Sequence, residues 1–146
     1  MIFCKLWRAK LRILQLHVDS FEYEPIKKEI ESAEELSDKS PKTFKDLVVL
    51  FVSVEKDDTQ ESISSAVESI KKSLEELKAS SVLVYPYSHL SNELASPTQA
   101  KLILKTLVED LRNSGFNVEL APFGWTKKFS VAIKGHPLAE QFKTIK

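Results

Sequence analysis

Apolar residues in the first third of the chain alternate or cluster in patterns that are typical of β-strands. Residues 11–18 are rich in Leu, Ile and Val and predict a first strand. Residues 21–24 alternate rings and carboxylates, which predicts a second, half-exposed strand that ends at Pro25. Residues 47–54 form a β-branched run, so we expect a central strand that is buried on both faces. The charged segment 26–45 predicts a loop with at most one short helix.

Two later stretches have the spacing of amphipathic helices. Asp58 is the expected N-cap of the first helix, and its apolar stripe recurs at positions 63, 66, 67, 70, 74 and 77. Ser96 is the expected N-cap of the second helix, with Gln99 placed to close a capping box. Gly115 has the place of the glycine that commonly follows a helix C-terminus.

The remaining strands complete one domain. Residues 81–85 predict a buried strand stopped by Pro86, while residues 116–120 and 128–133 predict a hairpin pair. Strands, helix, strand, helix and strand pair indicate an α/β (α+β) domain with two helices packed on a mixed sheet. We expect this domain to span residues 11–146, after an N-terminal extension over residues 1–10.

Composition restricts the classes of function. The chain has 146 residues with 21 basic and 21 acidic side chains, so its formal charge is zero. A protein that coats nucleic acid by bulk charge is therefore disfavoured, although a local basic patch around a small RNA end is compatible. The single cysteine, Cys4, forms no internal disulfide, which favours a reducing, cytoplasmic setting. No apolar run reaches the roughly 18 residues that a membrane span needs.

Common catalytic motifs are absent from the sequence. Three glycines cannot build a phosphate-binding loop, and one cysteine with three scattered histidines makes no structural zinc site, so we expect neither metal nor cofactor. Ser88 and His89 form a weak dyad, because adjacent side chains rarely point at one another. His89 follows a buried strand where α/β sheets bind ligands, and its position leaves ligand binding and loop capping equally open. For His17 and His136, structural hydrogen bonding is the favoured interpretation.

Three short stretches mix aromatic rings with charged or polar tips, as the wall of a cleft does. They are residues 85–91, 121–129 and 134–140. Lys127 and Lys128 are adjacent at a strand start, so we expect their side chains to point to opposite faces of the sheet. One of them can then face a pocket while the other faces water. Taken alone, a lysine at such a place is usually a solvated charge, and Glu140 is most simply a surface carboxylate.

Taken together, five segments resemble the N-terminal editing domain of archaeal-type threonyl-tRNA synthetase. They are residues 11–24, 49–56, 84–95, 116–128 and 134–140. The resemblance implies a fold similar to D-aminoacyl-tRNA deacylases, usually as a homodimer, and hydrolysis of serine wrongly attached to threonine tRNA. The implied partners are the serine-carrying acceptor end of tRNA(Thr) and the rest of a synthetase, in cis or in trans.

The resemblance also implies roles for individual residues. The essential lysine of the family falls on Lys127, its pocket histidine on His89 and its carboxylate on Glu140. The substrate-binding wall falls on Val54, Pro86, Tyr87, Ser88, Phe123, Gly124, Trp125 and Thr126. In this family the 2′-hydroxyl of the RNA is thought to help activate the attacking water, which suits a chain without an obvious nucleophile. The chain departs from the family at Thr126, where a tyrosine usually precedes the lysine.

Two alternatives stay open at this stage. A D-aminoacyl-tRNA deacylase would share the fold, and a comparison of D- with L-seryl-tRNA separates it from the leading hypothesis. A non-catalytic tRNA-binding or dimerisation domain would bind the acceptor end without turnover. The replacement of the usual tyrosine by Thr126 keeps this second alternative in play.

Overall fold

The computed structural model of the protein describes residues 11–145, so the extension expected over residues 1–10 lies outside the described part. Two helices and six strands form within it, in the order β1 (Leu11–Lys28), β2 (Lys42–Ser53), α1 (Gln60–Leu77), β3 (Ser81–Pro86), α2 (Pro97–Asn113), β4 (Asn117–Leu120), β5 (Trp125–Ile133) and β6 (Glu140–Ile145). The strands form one mixed sheet in the order β4-β3-β2-β1-β5, and β6 pairs with another part of β1. This architecture confirms the predicted fold class.

Strand β1 is one long strand, so the prediction of two strands ending at Pro25 is wrong. β2 pairs with β1 only as far as Tyr23, and Pro25 lies beyond that last pair. On the other side, the register between β1 and β5 shifts between Pro25 and Lys27. A proline is tolerated at a bulge with a free flank because few ladder hydrogen bonds are lost there, and β1 therefore continues to Lys28.

The predicted hairpin between the fourth and fifth strands is also wrong. β4 pairs parallel with β3, whereas β5 pairs antiparallel with β1, at the opposite edge of the sheet. β1 is long enough to offer β5 a free edge over residues 18–28 and to offer β6 the edge over residues 11–16. Strand β6 was not predicted, because four of its six residues are polar or charged and its apolar residues, Phe142 and Ile145, form no run.

Helix α1 has the predicted apolar stripe but a different N-cap. Ile63, Ala66, Ile70 and Leu74 are buried against the sheet, with Val67 and Leu77 partly buried beside them. Thr59, not Asp58, is the N-cap, and its side chain and that of Ser62 form the reciprocal capping box. Asp58 turns inward instead, where its carboxylate accepts a hydrogen bond of 2.7 Å from the backbone N–H of Glu55.

Helix α2 begins and ends as predicted. Ser96 Oγ accepts a hydrogen bond of 3.3 Å from the backbone N–H of Gln99. The side chain of Gln99 does not close the box but donates to the carbonyl oxygen of Asp58 at 2.9 Å. Gly115 follows the C-terminus with a φ of +99°, which a glycine adopts without strain. No helix among residues 11–145 is long and apolar enough to cross a membrane.

The two faces of the sheet carry different cores. Both helices pack on one face through aliphatic side chains, whereas the other face carries an aromatic cluster of Phe21, Phe51, Tyr85 and Phe129. The rings of Phe129 and Tyr85 are 5.7 Å apart, although their strands, β5 and β3, are not neighbours in the sheet. The sheet is therefore curved around this cluster, and the curvature brings the start of β5 towards the end of β3.

Candidate functional site

The segment that follows β3 is fastened to the end of β2. The backbone N–H of Tyr87 donates to the carbonyl oxygen of Val52 at 2.9 Å. Ser53 Oγ donates to the carbonyl oxygen of Tyr87 and accepts from the backbone N–H of Leu90 at 3.3 Å. These bonds hold residues 87–90 beside the C-terminal ends of β2 and β3, the place for which the sequence left ligand binding and loop capping equally open.

The opposite wall is the turn before β5, which packs against the segment after β1. The backbone N–H of Glu29 donates to the carbonyl oxygen of Gly124 at 2.8 Å, and Trp125 Nε1 donates to the carbonyl oxygen of Glu34 at 2.6 Å. Gly124 has a φ of +81°, and a Cβ atom there would lie 2.8 Å from Ala33. Any other residue would push this segment away, so the glycine permits the close approach that shapes the wall.

Two adjoining cavities lie between these walls. The larger, of about 290 Å³, has a mostly apolar lining that includes Val52, Val54, Leu94, Ala95, Pro97, Ala100, Leu104 and Phe123. The smaller, of about 190 Å³, is lined by Tyr85, His89, Thr126 and Phe129. Both cavities share Glu29, Pro86, Tyr87, Ser88, Trp125 and Lys127. One wall of residues thus faces an apolar compartment and a polar one.

Lys127 lies at the junction of the two cavities. Its Nζ atom is 4.8 Å from the ring centroid of Tyr85 and donates to the carbonyl oxygen of Trp125 at 3.1 Å. Burial lowers the pKa of Lys127 to about 8, against the opposing effect of Glu29 and Glu34. An ammonium group has three N–H donors, so further donors stay available to a ligand. Lys128, the next residue, is exposed, as expected for neighbours on a strand.

His89 faces the same small cavity as Lys127. Its ring is exposed and meets the ring of Tyr87 edge-on, with 5.0 Å between the centroids. The structure therefore brings an imidazole and a half-buried ammonium group to one hollow, with Ser88 on the same wall. Each of these groups can donate a hydrogen bond to an oxygen atom that develops negative charge.

The expected wall residues all line the two cavities. Val54, Phe123 and Gly124 line the larger cavity, and Thr126 lines the smaller. Pro86, Tyr87, Ser88 and Trp125 line both. The eight positions named from the resemblance thus form one continuous surface.

Within one chain, the structure does not bring Glu140 to these cavities. Glu140 is opposite Leu16 on β1, whereas Lys127 is opposite Pro25. Positions 16 and 25 are nine residues apart, which corresponds to roughly 30 Å of strand. The turn before β6 is fixed there because His17 exchanges backbone hydrogen bonds of 2.8 and 2.9 Å with Ala139 and Lys134.

The other two histidines have structural partners, as the sequence favoured. His17 Nδ1 and His136 Nε2 are 2.9 Å apart, and the backbone N–H of Leu138 donates to His136 Nδ1 at 3.2 Å. Burial lowers the pKa of His17, which favours the neutral ring. This pair holds the turn between β5 and β6 against β1.

Sequence reasoning missed Glu29, and it gave Tyr85 no role of its own although it placed residues 85–91 in a candidate cleft wall. Glu29 lines both cavities, and its Oε1 accepts a hydrogen bond of 2.7 Å from Thr126 Oγ1. The signal for Glu29 was a carboxylate directly after a strand, but its place next to Lys127 depends on the pairing of β1 with β5. Tyr85 is buried in the aromatic cluster and places its ring beneath the ammonium group.

Comparison with solved structures defines the class of fold. A structure titled c-Myc DNA unwinding element binding protein superposes with a TM-score of 0.66 at 11% identity, covering 91% of this chain and 97% of that one. A probable eukaryotic D-amino acid tRNA deacylase superposes with a TM-score of 0.61 at 13% identity, covering 93% and 100%. The chain therefore has the fold of the D-aminoacyl-tRNA deacylases, as the sequence predicted.

Sequence comparison identifies the family. Residues 11–145 match the model described as the archaea-specific editing domain of threonyl-tRNA synthetase, and the chain belongs to this family. The threonine–tRNA ligases of Nitrosopumilus maritimus and Pyrococcus horikoshii are 44% and 46% identical to it over 135 and 139 residues. These alignments cover 92% of this chain but only 21% and 22% of the two relatives. The chain thus spans about a fifth of the length of the relatives it matches.

Proposed function

We propose that this domain hydrolyses the ester of L-seryl-tRNA(Thr) and thereby corrects mischarged threonine tRNA. The observation that carries the proposal is the hollow shared by Lys127 and His89 next to an apolar cavity. The family supports the same conclusion, since its members are editing domains of a synthetase. The partners are then the acceptor end of tRNA(Thr) and the rest of a synthetase, in cis or in trans.

The chemistry of the two amino acids explains the need for such a site. Serine lacks one methyl group of threonine, and a pocket gains only roughly 1–3 kcal/mol of discrimination from such a difference. A synthetase that binds threonine therefore also activates serine. A second site that hydrolyses the wrong ester restores accuracy.

The two cavities suit the two parts of the substrate. The larger cavity offers the flat or apolar side chains of Val54, Pro86 and Phe123 to the terminal adenine. The smaller cavity holds the seryl group, because its polar side chains can reach the ester. Lys127 lines both cavities, which supports a place for its ammonium group beside the ester that joins adenosine to serine.

Hydrolysis then follows from the charges at this junction. Water adds to the ester carbonyl carbon, the bond to the ribose oxygen breaks, and that oxygen takes up the proton. The ammonium group of Lys127 stabilises the negative charge that develops on the carbonyl oxygen, and partial burial strengthens this effect. His89 orients the water or the ribose 2′-hydroxyl, and that hydroxyl helps to activate the water.

The test is the release of serine from L-seryl-tRNA(Thr) by the chain and two matched variants. Lys127→Met should lower the rate by at least about 100-fold while the circular dichroism spectrum stays unchanged. Lys128→Met removes the same charge from the neighbouring exposed position and should keep the rate within about twofold. Unchanged hydrolysis by folded Lys127→Met would contradict the proposed role of the ammonium group.

The role of Glu140 requires a second copy of the chain, because in one copy this carboxylate is remote from Lys127. We therefore propose a homodimer in which Glu140 of one copy completes the site of the other. Mixing Lys127→Met with Glu140→Gln then gives heterodimers with one intact site, and activity should reappear. If heterodimers of the two inactive variants form but show no activity, this arrangement is excluded.

A D-aminoacyl-tRNA deacylase is the second candidate, and the fold shared with a probable deacylase of that class favours it. Parallel assays of L- and D-seryl-tRNA(Thr) separate the two, since our proposal requires faster release of the L-amino acid. Tight binding of the acceptor end without release of either would instead indicate a non-catalytic domain.

A further inference from the structure

Glu29 is a carboxylate at the site for which the proposed hydrolysis has no use. Among the residues between 11 and 145 that line either cavity, it is the one acidic side chain, and it lines both. Its position is fixed from two directions. The backbone N–H of Glu29 donates to the carbonyl oxygen of Gly124 at 2.8 Å, and Thr126 Oγ1 donates to Glu29 Oε1 at 2.7 Å.

The proposed substrate presents a charge that the rest of the site repels. A peptide α-amino group has a pKa of about 8 and an adjoining ester lowers it, so a substantial fraction of an aminoacyl ester is cationic at neutral pH. Lys127 is a second cation on the wall of the same small cavity. Like charges in a partly desolvated site repel each other, and the substrate ammonium group therefore needs an anion or several carbonyl oxygens nearby.

We propose that Glu29 is the subsite for the α-ammonium group of the aminoacyl ester, an inference that rests on the proposed function. The hydroxyl of Thr126 occupies Oε1 and orients the carboxylate, which leaves Oε2 and the remaining lone pairs for the substrate. Glu29 thereby selects a free amino acid ester over an N-acylated or deaminated one.

The location of Glu29 also allows two parts of the substrate to meet groups of opposite charge. Its carboxylate raises the pKa of Lys127 against the effect of burial, so the two groups interact electrostatically across the site. The ester carbonyl then contacts Lys127 and the α-ammonium group contacts Glu29. The reverse orientation is disfavoured, because it would place the two ammonium groups side by side. Glu29 is a specificity-determining residue in this arrangement, and Thr126 is a positioning residue.

The test compares two non-hydrolysable analogues by calorimetry. One is 3′-(L-serylamino)-3′-deoxyadenosine, and the other carries a 3-hydroxypropionyl group, which is serine without its amine. The unmodified chain should bind the first about three- to tenfold more tightly, the range expected for an exposed but oriented charge pair. Glu29→Gln keeps an oxygen that accepts from Thr126, so it removes the charge alone and should abolish the preference.

Two further variants separate the subsite from general effects. Glu31→Gln removes an exposed carboxylate from the same segment, outside either cavity, and should keep the full preference. Thr126→Val frees the carboxylate of Glu29 and should reduce the preference without abolishing it. If Glu29→Gln keeps the full preference and the unmodified chain still releases serine, the proposed subsite is wrong but the proposed function stands. If neither analogue binds and no serine is released, the proposed function itself is wrong, and the subsite with it.

Discussion

Lys127, which is half-buried, and Asp58, which is buried, are two ionisable groups with opposite surroundings. Burial lowers the pKa of Lys127 to about 8 and raises the pKa of Asp58 to about 6. Lys127 faces two cavities, whereas Asp58 is 2% exposed and accepts a hydrogen bond from the backbone of Glu55. A shifted pKa therefore reports burial in both cases, and only the adjoining cavities make the lysine a candidate for a functional role.

The surroundings of Asp58 show what such a buried acid does instead. The neighbouring Glu55 is also buried, and its carboxylate accepts from Arg12 Nε and Ser91 Oγ, each at 2.8 Å. Asp58 holds the backbone that places Glu55, and Glu55 ties β1 to the segment that carries His89. This cluster stabilises a wall of the site without touching either cavity.

The largest contrast should appear in the free energy of unfolding. Asp58→Ala leaves the backbone N–H of Glu55 without its partner and should lower the free energy of unfolding by about 1–3 kcal/mol. Lys127→Met replaces a half-buried charge by an apolar chain of similar length. It should leave the free energy of unfolding unchanged or raise it. Urea unfolding followed by circular dichroism measures both.

The reverse ranking would show that Lys127 is a structural group. Serine release per folded molecule is the matching control, because Asp58→Ala should retain it and Lys127→Met should not. A loss of catalysis in well-folded Asp58→Ala would place the carboxylate cluster in the reaction.

A smaller effect is expected in the pH dependence of serine release. If the ammonium form of Lys127 stabilises the developing oxyanion, activity should fall as the pH rises through about 8, the pKa set by burial. One pH unit above that pKa, about a tenth of the lysine is protonated, so the rate should be roughly tenfold lower. Rates must be corrected for spontaneous hydrolysis, and a corrected rate that keeps rising to pH 9 would argue against the cationic role.

The two groups should also give opposite slopes of the free energy of unfolding against pH. Since the folded pKa of Asp58, about 6, exceeds its ordinary value of 3.8, the folded state binds more protons in that window. Its contribution therefore becomes unfavourable as the pH rises from about 4 to 6. The folded pKa of Lys127, about 8, is below its ordinary value of 10.5, so the unfolded state binds more protons between them, and stability rises with pH there.

Unfolding titrations of Asp58→Asn and Lys127→Met across both windows check these slopes. Each substitution should remove the slope in its own window and leave the other unchanged. If the slope persists in the variant that lacks the group, another ionisable group causes it.

The local features of this fold could be predicted from the sequence, whereas the pairing of its strands could not. The stripe of α1, the Ser96 cap and the buried run of β2 follow from periodicity and capping, which depend on near neighbours. The partner of β5 depends on which distant strand has a free edge, and no local pattern encodes that choice. The place of Glu29 beside Lys127 and the distance of Glu140 from it both follow from this pairing, so neither could be predicted from the chain alone.

The two bulges of β1 decide which of two adjacent lysines serves the cavity. Asp19 and Ile26 are the extra residues where β1 slips against β5, and Pro25 opposite Lys127 lies between them. Successive side chains of a strand face opposite ways, so a shift by one position would present Lys128 to the hollow and send Lys127 into water. The pairing of β1 thus determines which of the two amines faces the cavities, although no side chain of β1 itself lines them.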